Sequence, residues 1–269
     1  MNALPRALTI AGSDSGGCAG IQADLKTFGA LQVHGMSVIT SVTAQNSVQV
    51  LSSWDVPSSE VGLQIDAVIE DIGADAVKTG MLSSPDIIRT VTERICRHGL
   101  QKLVVDPVMR STSGATLIQA DAIEVLKSEL FPLAFLVTPN LPETELLIGG
   151  RIRDLQDIEK AAQTIYSLGP AAVLIKGGHS GDPEWSTDYL FEGTGVTPLK
   201  APRINTKNTH GSGCTYSAAI TAYLAKGLEL SEAVYQAKQF VTEALKRSFS
   251  VGSGSGPLCH FYNFWEEHS

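Results

Sequence analysis

Ala7-Leu8-Thr9-Ile10-Ala11 runs directly into Gly12-Ser13-Asp14-Ser15-Gly16-Gly17-Cys18-Ala19-Gly20. The five apolar and β-branched residues read as a buried strand, and the residues from Ile21 to about Leu31 read as a helix. The loop between them is too rich in glycine to be only a connector. The order strand, polar loop, helix then recurs. Met36 to Thr43 is a second strand, ending in Ala44-Gln45-Asn46, and Pro57 and Ser58 open an amphipathic helix through about Asp71. Ala74 to Lys78 is a strand that empties into Thr79-Gly80-Met81, and Pro85 starts the next helix. Lys102 to Val105 leads into Asp106-Pro107-Val108-Met109, with a helix from about Asp121 to Leu130. Phe135 to Thr138 leads into Pro139-Asn140-Leu141-Pro142-Glu143 and another helix. After a helix over Asp154 to Ser167, Ala172 to Ile175 is a strand with Lys176-Gly177-Gly178-His179 as its exit loop. Ser186 to Phe191 and Val196 to Ala201 pair antiparallel, and a last helix covers Ser231 to Ser248.

This alternation predicts one α/β domain over residues 1–269, with a mainly parallel central sheet and helices on both faces. Ligands of such sheets bind beyond the carboxyl ends of the strands. Asp14, Gln45, Thr79, Asp106, Asn140, Glu143 and Lys176 all fall at or just after expected strand ends, so they should converge in space. Gly252-Ser253-Gly254-Ser255-Gly256 reads as a surface turn before an aromatic tail.

Late in the chain, Thr209-His210-Gly211-Ser212-Gly213-Cys214-Thr215 precedes a helix expected from Tyr216 to Lys226. A helix start leaves about four N–H groups without partners beside the positive end of the dipole, which suits an anion. Gly211 and Gly213 would let a phosphate approach the backbone. The same residues also fit a turn that only caps a helix. A thiol in the first helical turn is expected to have a lowered pKa, which makes Cys214 a candidate nucleophile or base. His210, before a glycine turn, reads as structural, with a proton shuttle as the alternative.

Composition narrows the partners. The 20 basic and 28 acidic residues give a net charge of −8, and no cluster of Lys and Arg marks a predicted face, which argues against nucleic acid or an anionic membrane. Cys18, Cys96, Cys214 and Cys259 lack metal-like spacing and read as free thiols of a reducing cytosol. No apolar run reaches the ~18 residues of a membrane span, and the first twelve residues do not make a signal peptide. A soluble, cytoplasmic protein is expected.

The segments ALTIAGSDSGG (7–17), AGIQADLKTF (19–28), GMSVIT with TAQNS (35–47), KTGML (78–82), DPVM (106–109), TPNLPE (138–143), IKGGH (175–179) and TKNTHGSGCTYSAA (206–219) resemble, in collinear order, the hydroxymethylpyrimidine/phosphomethylpyrimidine kinases of thiamine biosynthesis. That family lies in the ribokinase superfamily. The resemblance implies a ribokinase-like three-layer sandwich, usually a homodimer. It implies use of ATP with Mg²⁺ to phosphorylate 4-amino-5-hydroxymethyl-2-methylpyrimidine and then its monophosphate. It places the pyrimidine among Gly12, Ala19, Gln45, Met81, Val108 and Cys214, with Asp24 as a carboxylate holding the first loop. Gln45 carries a donor and an acceptor on one amide and so matches an amino group beside a ring nitrogen. Asn140, Glu143, Asp106, Lys176 and Lys238 are implied on the phosphate and nucleotide side, with Glu143 and Asp106 toward the metal. Asn140 with Glu143 equally reads as a helix capping box, and both roles can hold together.

The resemblance makes Gly211, Ser212 and Gly213 the phosphate cradle and Cys214 the base beside the acceptor hydroxymethyl group, where many sugar kinases of the superfamily carry Asp. Cys18 stands where a smaller residue is usual, and Ser212 replaces a more common Thr. Two rival readings follow from the same motifs: a pyridoxal kinase, and a non-catalytic sensor of pyrimidine or nucleotide.

Overall fold

The computed structural model describes residues 4–111, 114–178 and 182–265. Among these residues, nine strands form one sheet: β1 (Arg6–Asp14), β2 (His34–Gln45), β3 (Val50–Asp55), β4 (Ala76–Thr79), β5 (Leu103–Val105), β6 (Leu136–Val137), β7 (Val173–Ile175), β8 (Trp185–Phe191) and β9 (Val196–Pro202). Their order is β3-β2-β1-β4-β5-β6-β7-β8-β9. The six strands from β2 to β7 run parallel, and β3, β8 and β9 add antiparallel edges. The chain moves outward from β1 to β2 and then returns to the other side of β1 as β4. The exits of β1 and β4 therefore flank a topological switch point, where crevices open in such sheets.

Eight α-helices among the described residues cover the two faces: α1 (Gly20–Ala30), α2 (Ser58–Asp71), α3 (Pro85–His98), α4 (Ala120–Val125), α5 (Leu141–Ile148), α6 (Leu155–Tyr166), α7 (Ser212–Ala225) and α8 (Leu230–Lys246). The period-2 alternation of the strands divides the core. Leu8, Ile10, Leu103, Val105, Val137, Val173 and Ile175 pack toward α2 to α6. Ala7, Ala76, Val104, Leu136 and Leu174 pack toward α1, α7 and α8. Strands buried on both faces need the continuous apolar runs that the sequence displays. The result is the expected three-layer α/β sandwich.

Several boundaries differ from expectation. β3 lies in a stretch to which the sequence pattern assigns no element, because its residues are exposed or half-exposed on a sheet edge and carry no clear apolar alternation. The helix expected over Asp121 to Leu130 is α-helical only to Val125 and continues as a π-helical turn, Leu126–Leu130. α7 begins at Ser212, four residues before the expected start, so Cys214 is its third residue. Gly252 to Gly256 is more than a surface turn. The Ser255 N–H donates to the Ser47 carbonyl and the Gly256 N–H to Asn208 Oδ1, both at 3.1 Å, while the Gly256 carbonyl accepts from His210 N. His179, the end of one expected exit loop, lies outside the described residues.

Candidate active site

A cavity of about 1060 Å³ opens beyond the carboxyl ends of the parallel strands. That volume holds a nucleotide and a small acceptor side by side. Along the sheet, Gln45 ends β2, Gly12 follows the apolar run of β1, Met81 follows β4, Asp106 and Val108 follow β5, Asn140 and Glu143 follow β6, and Lys176 follows β7. All of these residues line the cavity, together with Ala19, Lys238 and Gly211 to Cys214. Residues scattered over more than two hundred positions thus converge, Asp14 among them, as the strand-end reading expects; Thr79 is the exception, fully buried and not on the cavity wall.

The loop after β1 is wound about one carboxylate. Asp14 accepts from Gly16 N at 2.8 Å, Cys18 N at 2.9 Å and Ala19 N at 2.8 Å. The mouth of α7 lies on this loop. Gly211 has φ +83°, and a Cβ there would come within 1.9 Å of the Cys18 carbonyl oxygen, so only glycine fits. Two residues on, a Cβ at Gly213 would lie 3.4 Å from Lys176 Nζ. The start of α7 therefore spans from the β1 loop to the lysine after β7. The Ser212 N–H is spent on the Thr209 carbonyl at 3.1 Å. The amides of Gly211, Gly213 and Cys214 donate to no acceptor among the described residues.

Cys214 overturns the expectation of a lowered pKa. Burial pushes its thiol up to about 11, against the opposing pull of the Lys78 ammonium and a hydrogen bond from the Gly20 N–H. The low dielectric of the site outweighs the helix terminus. Lys78, unremarked in the sequence beyond its motif, is fully buried at the floor of the cavity, with Nζ 2.8 Å from both oxygens of Asp24. Burial disfavours its charge, but Asp24, Cys214 and Asp106 outweigh that and keep its pKa above that of a free lysine. A lysine ending a buried strand was the available signal. Asp24, expected at the substrate and holding the first loop, is not at the cavity wall. It is buried in α1, accepts a 2.7 Å bond from Thr9 Oγ1, and holds Lys78 instead.

On the β5–β7 side, Asp106 Oδ1 accepts from Lys176 Nζ at 2.8 Å and Thr138 Oγ1 at 3.2 Å, and Oδ2 from Ser217 Oγ at 3.0 Å. Burial opposes its ionisation, yet Lys176 and Lys78 hold its carboxyl below the usual range. The capping box at α5 is present: Asn140 Oδ1 accepts from Glu143 N at 2.9 Å, and Glu143 Oε2 from Asn140 N at 2.8 Å. Burial pushes Glu143 up to about 7, Lys176 opposes that, and Asp106 adds to it. Lys238 pairs with Asp188, a partner with no signal in the sequence, whose Oδ1 also accepts from Gly177 N at 2.9 Å. Cys18 is buried with Sγ 3.6 Å from the Gly16 carbonyl and does not line the cavity. His210 does line it, and its Nε2 lies 3.0 Å from the Gln45 amide nitrogen.

A parallel sheet with antiparallel edges and a glycine-opened helix start facing a mixed lysine and carboxylate cluster, with Met81 and Val108 on the same cavity, together define a ribokinase-like small-molecule kinase. The signature of the family described as phosphomethylpyrimidine kinase matches residues 14–259. The hydroxymethylpyrimidine/phosphomethylpyrimidine kinase of Bacillus subtilis is 48% identical over 256 residues, covering 95% of this chain and 94% of that protein. The thiamine biosynthesis bifunctional protein ThiED of Geobacter sulfurreducens is 48% identical over 255 residues, 94% of this chain and 51% of that protein. Among solved structures, the pyridoxal kinase from Staphylococcus aureus in complex with AMP-PCP and pyridoxal superimposes with a TM-score of 0.90 at 37% identity, covering 98% of this chain and 97% of that one. The chain belongs to the phosphomethylpyrimidine kinase family.

Proposed function

We propose that this chain transfers the γ-phosphoryl group of ATP to the hydroxymethyl oxygen of 4-amino-5-hydroxymethyl-2-methylpyrimidine, and a second phosphoryl group to the resulting monophosphate, within thiamine biosynthesis. The observation that carries the reading is the placement of Gln45, Cys214 and the free α7 amides on one cavity with Asn140, Glu143 and Lys176. Met81 and Val108 supply apolar faces for the ring, and the Gln45 amide its amino edge. The alcohol oxygen attacks the γ-phosphorus, the bond to the bridging oxygen breaks, and ADP leaves. Charge on the migrating phosphoryl oxygens meets the amides of Gly211, Gly213 and Cys214, which are already in place. The thiolate form of Cys214 takes the alcohol proton, and Lys78 supports that form.

Magnesium fits the donor set. Glu143 and Asp106 offer only oxygen, as a hard cation prefers, and a carboxyl lifted to about 7 beside a second carboxylate is the arrangement a cation would relieve. Glu143 would hold the ion, with Asp106 near it, and the ion would neutralise phosphate charge. The resemblance also implies a homodimer in the cytosol, whose mass sedimentation velocity would measure.

Turnover with ATP and three acceptors, the pyrimidine alcohol, its monophosphate and pyridoxal, tests the reading. Phosphorylation of the first two in preference to the third is expected, because pyridoxal lacks the amino edge that Gln45 matches. Turnover of pyridoxal alone, or of none, would overturn it.

A further inference from the structure

The Gln45 amide nitrogen lies 3.0 Å from His210 Nε2, and its carbonyl oxygen 3.3 Å from Thr43 Oγ1. A half-turn of the amide exchanges the two atoms with almost no change of shape. Three neighbours decide between the orientations. The Thr43 hydroxyl has one proton, and it lies 2.9 Å from the Ser13 carbonyl oxygen, which can only accept. That proton is spent, so the hydroxyl offers Gln45 a lone pair, which suits an amide N–H and not a carbonyl.

His210 is the second neighbour. Its Nδ1 is buried with no partner among the described residues. A buried lone pair is left unpaired more readily than a buried N–H, so the proton of the neutral ring belongs on Nε2. Burial favours that neutral ring, against the opposing charge of Asp14. Asp14 is itself the third neighbour: its Oδ2 stands 4.0 Å from Nε2, on the side of the atom that would carry the proton.

We propose that His210 and Thr43 hold the Gln45 amide in the turned orientation, with His210 Nε2–H donating to Gln45 Oε1 and Gln45 Nε2 donating to Thr43 Oγ1, and that His210 is thereby a specificity-determining residue for the acceptor. Each amide atom keeps one hydrogen-bonding position for the ligand. The donor and acceptor then stand in a fixed order, which a ring nitrogen and its neighbouring amino group match in one sense only. A ring bound in the opposite sense carries its hydroxymethyl group away from Cys214. This inference rests on the pyrimidine kinase reading and adds the residue that sets the sense of recognition.

The test has two arms. In the first, ¹⁵N-histidine NMR of the full chain is expected to give His210 the pattern of the Nε2–H tautomer, and the Nδ1–H pattern would overturn the proposed orientation. In the second, kcat/KM is measured for the aminopyrimidine alcohol and for its analogue lacking the amino group. Wild type should prefer the amino compound by on the order of 10²-fold or more. His210→Met should reduce that preference to below about tenfold, and His210→Gln, which restores a donor near the Nε2 position, should recover it. Preference retained in His210→Met would overturn the specificity role. If wild type turns over neither compound, the kinase reading and the specificity role fall together, and the tautomer alone then judges the amide orientation.

Discussion

With its thiol pushed up to about 11, Cys214 holds its proton at neutral pH in all but roughly one molecule in 10⁴. If the thiolate receives the alcohol proton, the rate on the pyrimidine alcohol should rise close to tenfold per pH unit between about pH 6 and 9. The monophosphate is a different acceptor, because its second ionisation lies near 6 and no base is then required. Its rate should level off above about pH 7. Cys214→Ala should correspondingly lose on the order of 10²-fold on the alcohol and less than about tenfold on the monophosphate. Equal losses on both acceptors would show that the sulfur shapes the pocket and moves no proton. The position of Cys214 was legible from the glycine-broken helix start, but the sign of its pKa shift was not. A helix terminus is local and visible in sequence, whereas the burial that outweighs it is made by β1, α1 and β4, far along the chain.

At the scale of elements, one buried ion pair ties β4 to α1 beneath the site. Lys78 and Asp24 are both fully buried and 2.8 Å apart, with Thr9 of β1 as a third member. Removing one partner strands the other charge. Lys78→Met or Asp24→Leu alone should therefore cost about 3–5 kcal/mol in urea denaturation. The double variant should cost clearly less than the sum of the two, and simple additivity would refute the pairing. Lys78→Met/Asp24→Leu should also turn over the pyrimidine alcohol more slowly than wild type even where it folds, since Lys78 is the cation that supports the Cys214 thiolate. The strands β1, β4, β5 and β7 were legible because burial on both faces demands continuous apolar runs. β3 was not, since an exposed edge strand needs no such run. Asn140 and Glu143 were readable as a cap from their spacing alone, but the approach of Lys176 and Asp106 to that cap depends on β5, β6 and β7 lying side by side.

Across the whole molecule, the end of the described chain holds the site helix in place. His260 is buried with Nε2 2.9 Å from Thr215 Oγ1 of α7, and the segment before it accepts from His210 N. Burial holds the His260 pKa down at about 4, with Lys26 adding to the effect. The unfolded chain therefore binds a proton between about pH 4 and 6.5 that the native state refuses. This contribution is present in full above about 6.5 and is lost as pH falls to 4, on the order of 3 kcal/mol in all. Glu143 acts in the opposite sense: burial lifts it to about 7, so its native state holds a proton that the unfolded chain has released, and stability falls as pH rises from about 4.5 to 7. In wild type the two slopes nearly cancel between about pH 4.5 and 6.5, so their effect emerges only by difference. His260→Gln should gain stability relative to wild type by on the order of 3 kcal/mol as pH is lowered from 7 toward 4.5, and Glu143→Gln should gain as pH is raised over the same range. Urea denaturation of the three proteins at several pH values in this window checks both signs. Curves that stay parallel to wild type would mean that neither group titrates abnormally in the native state.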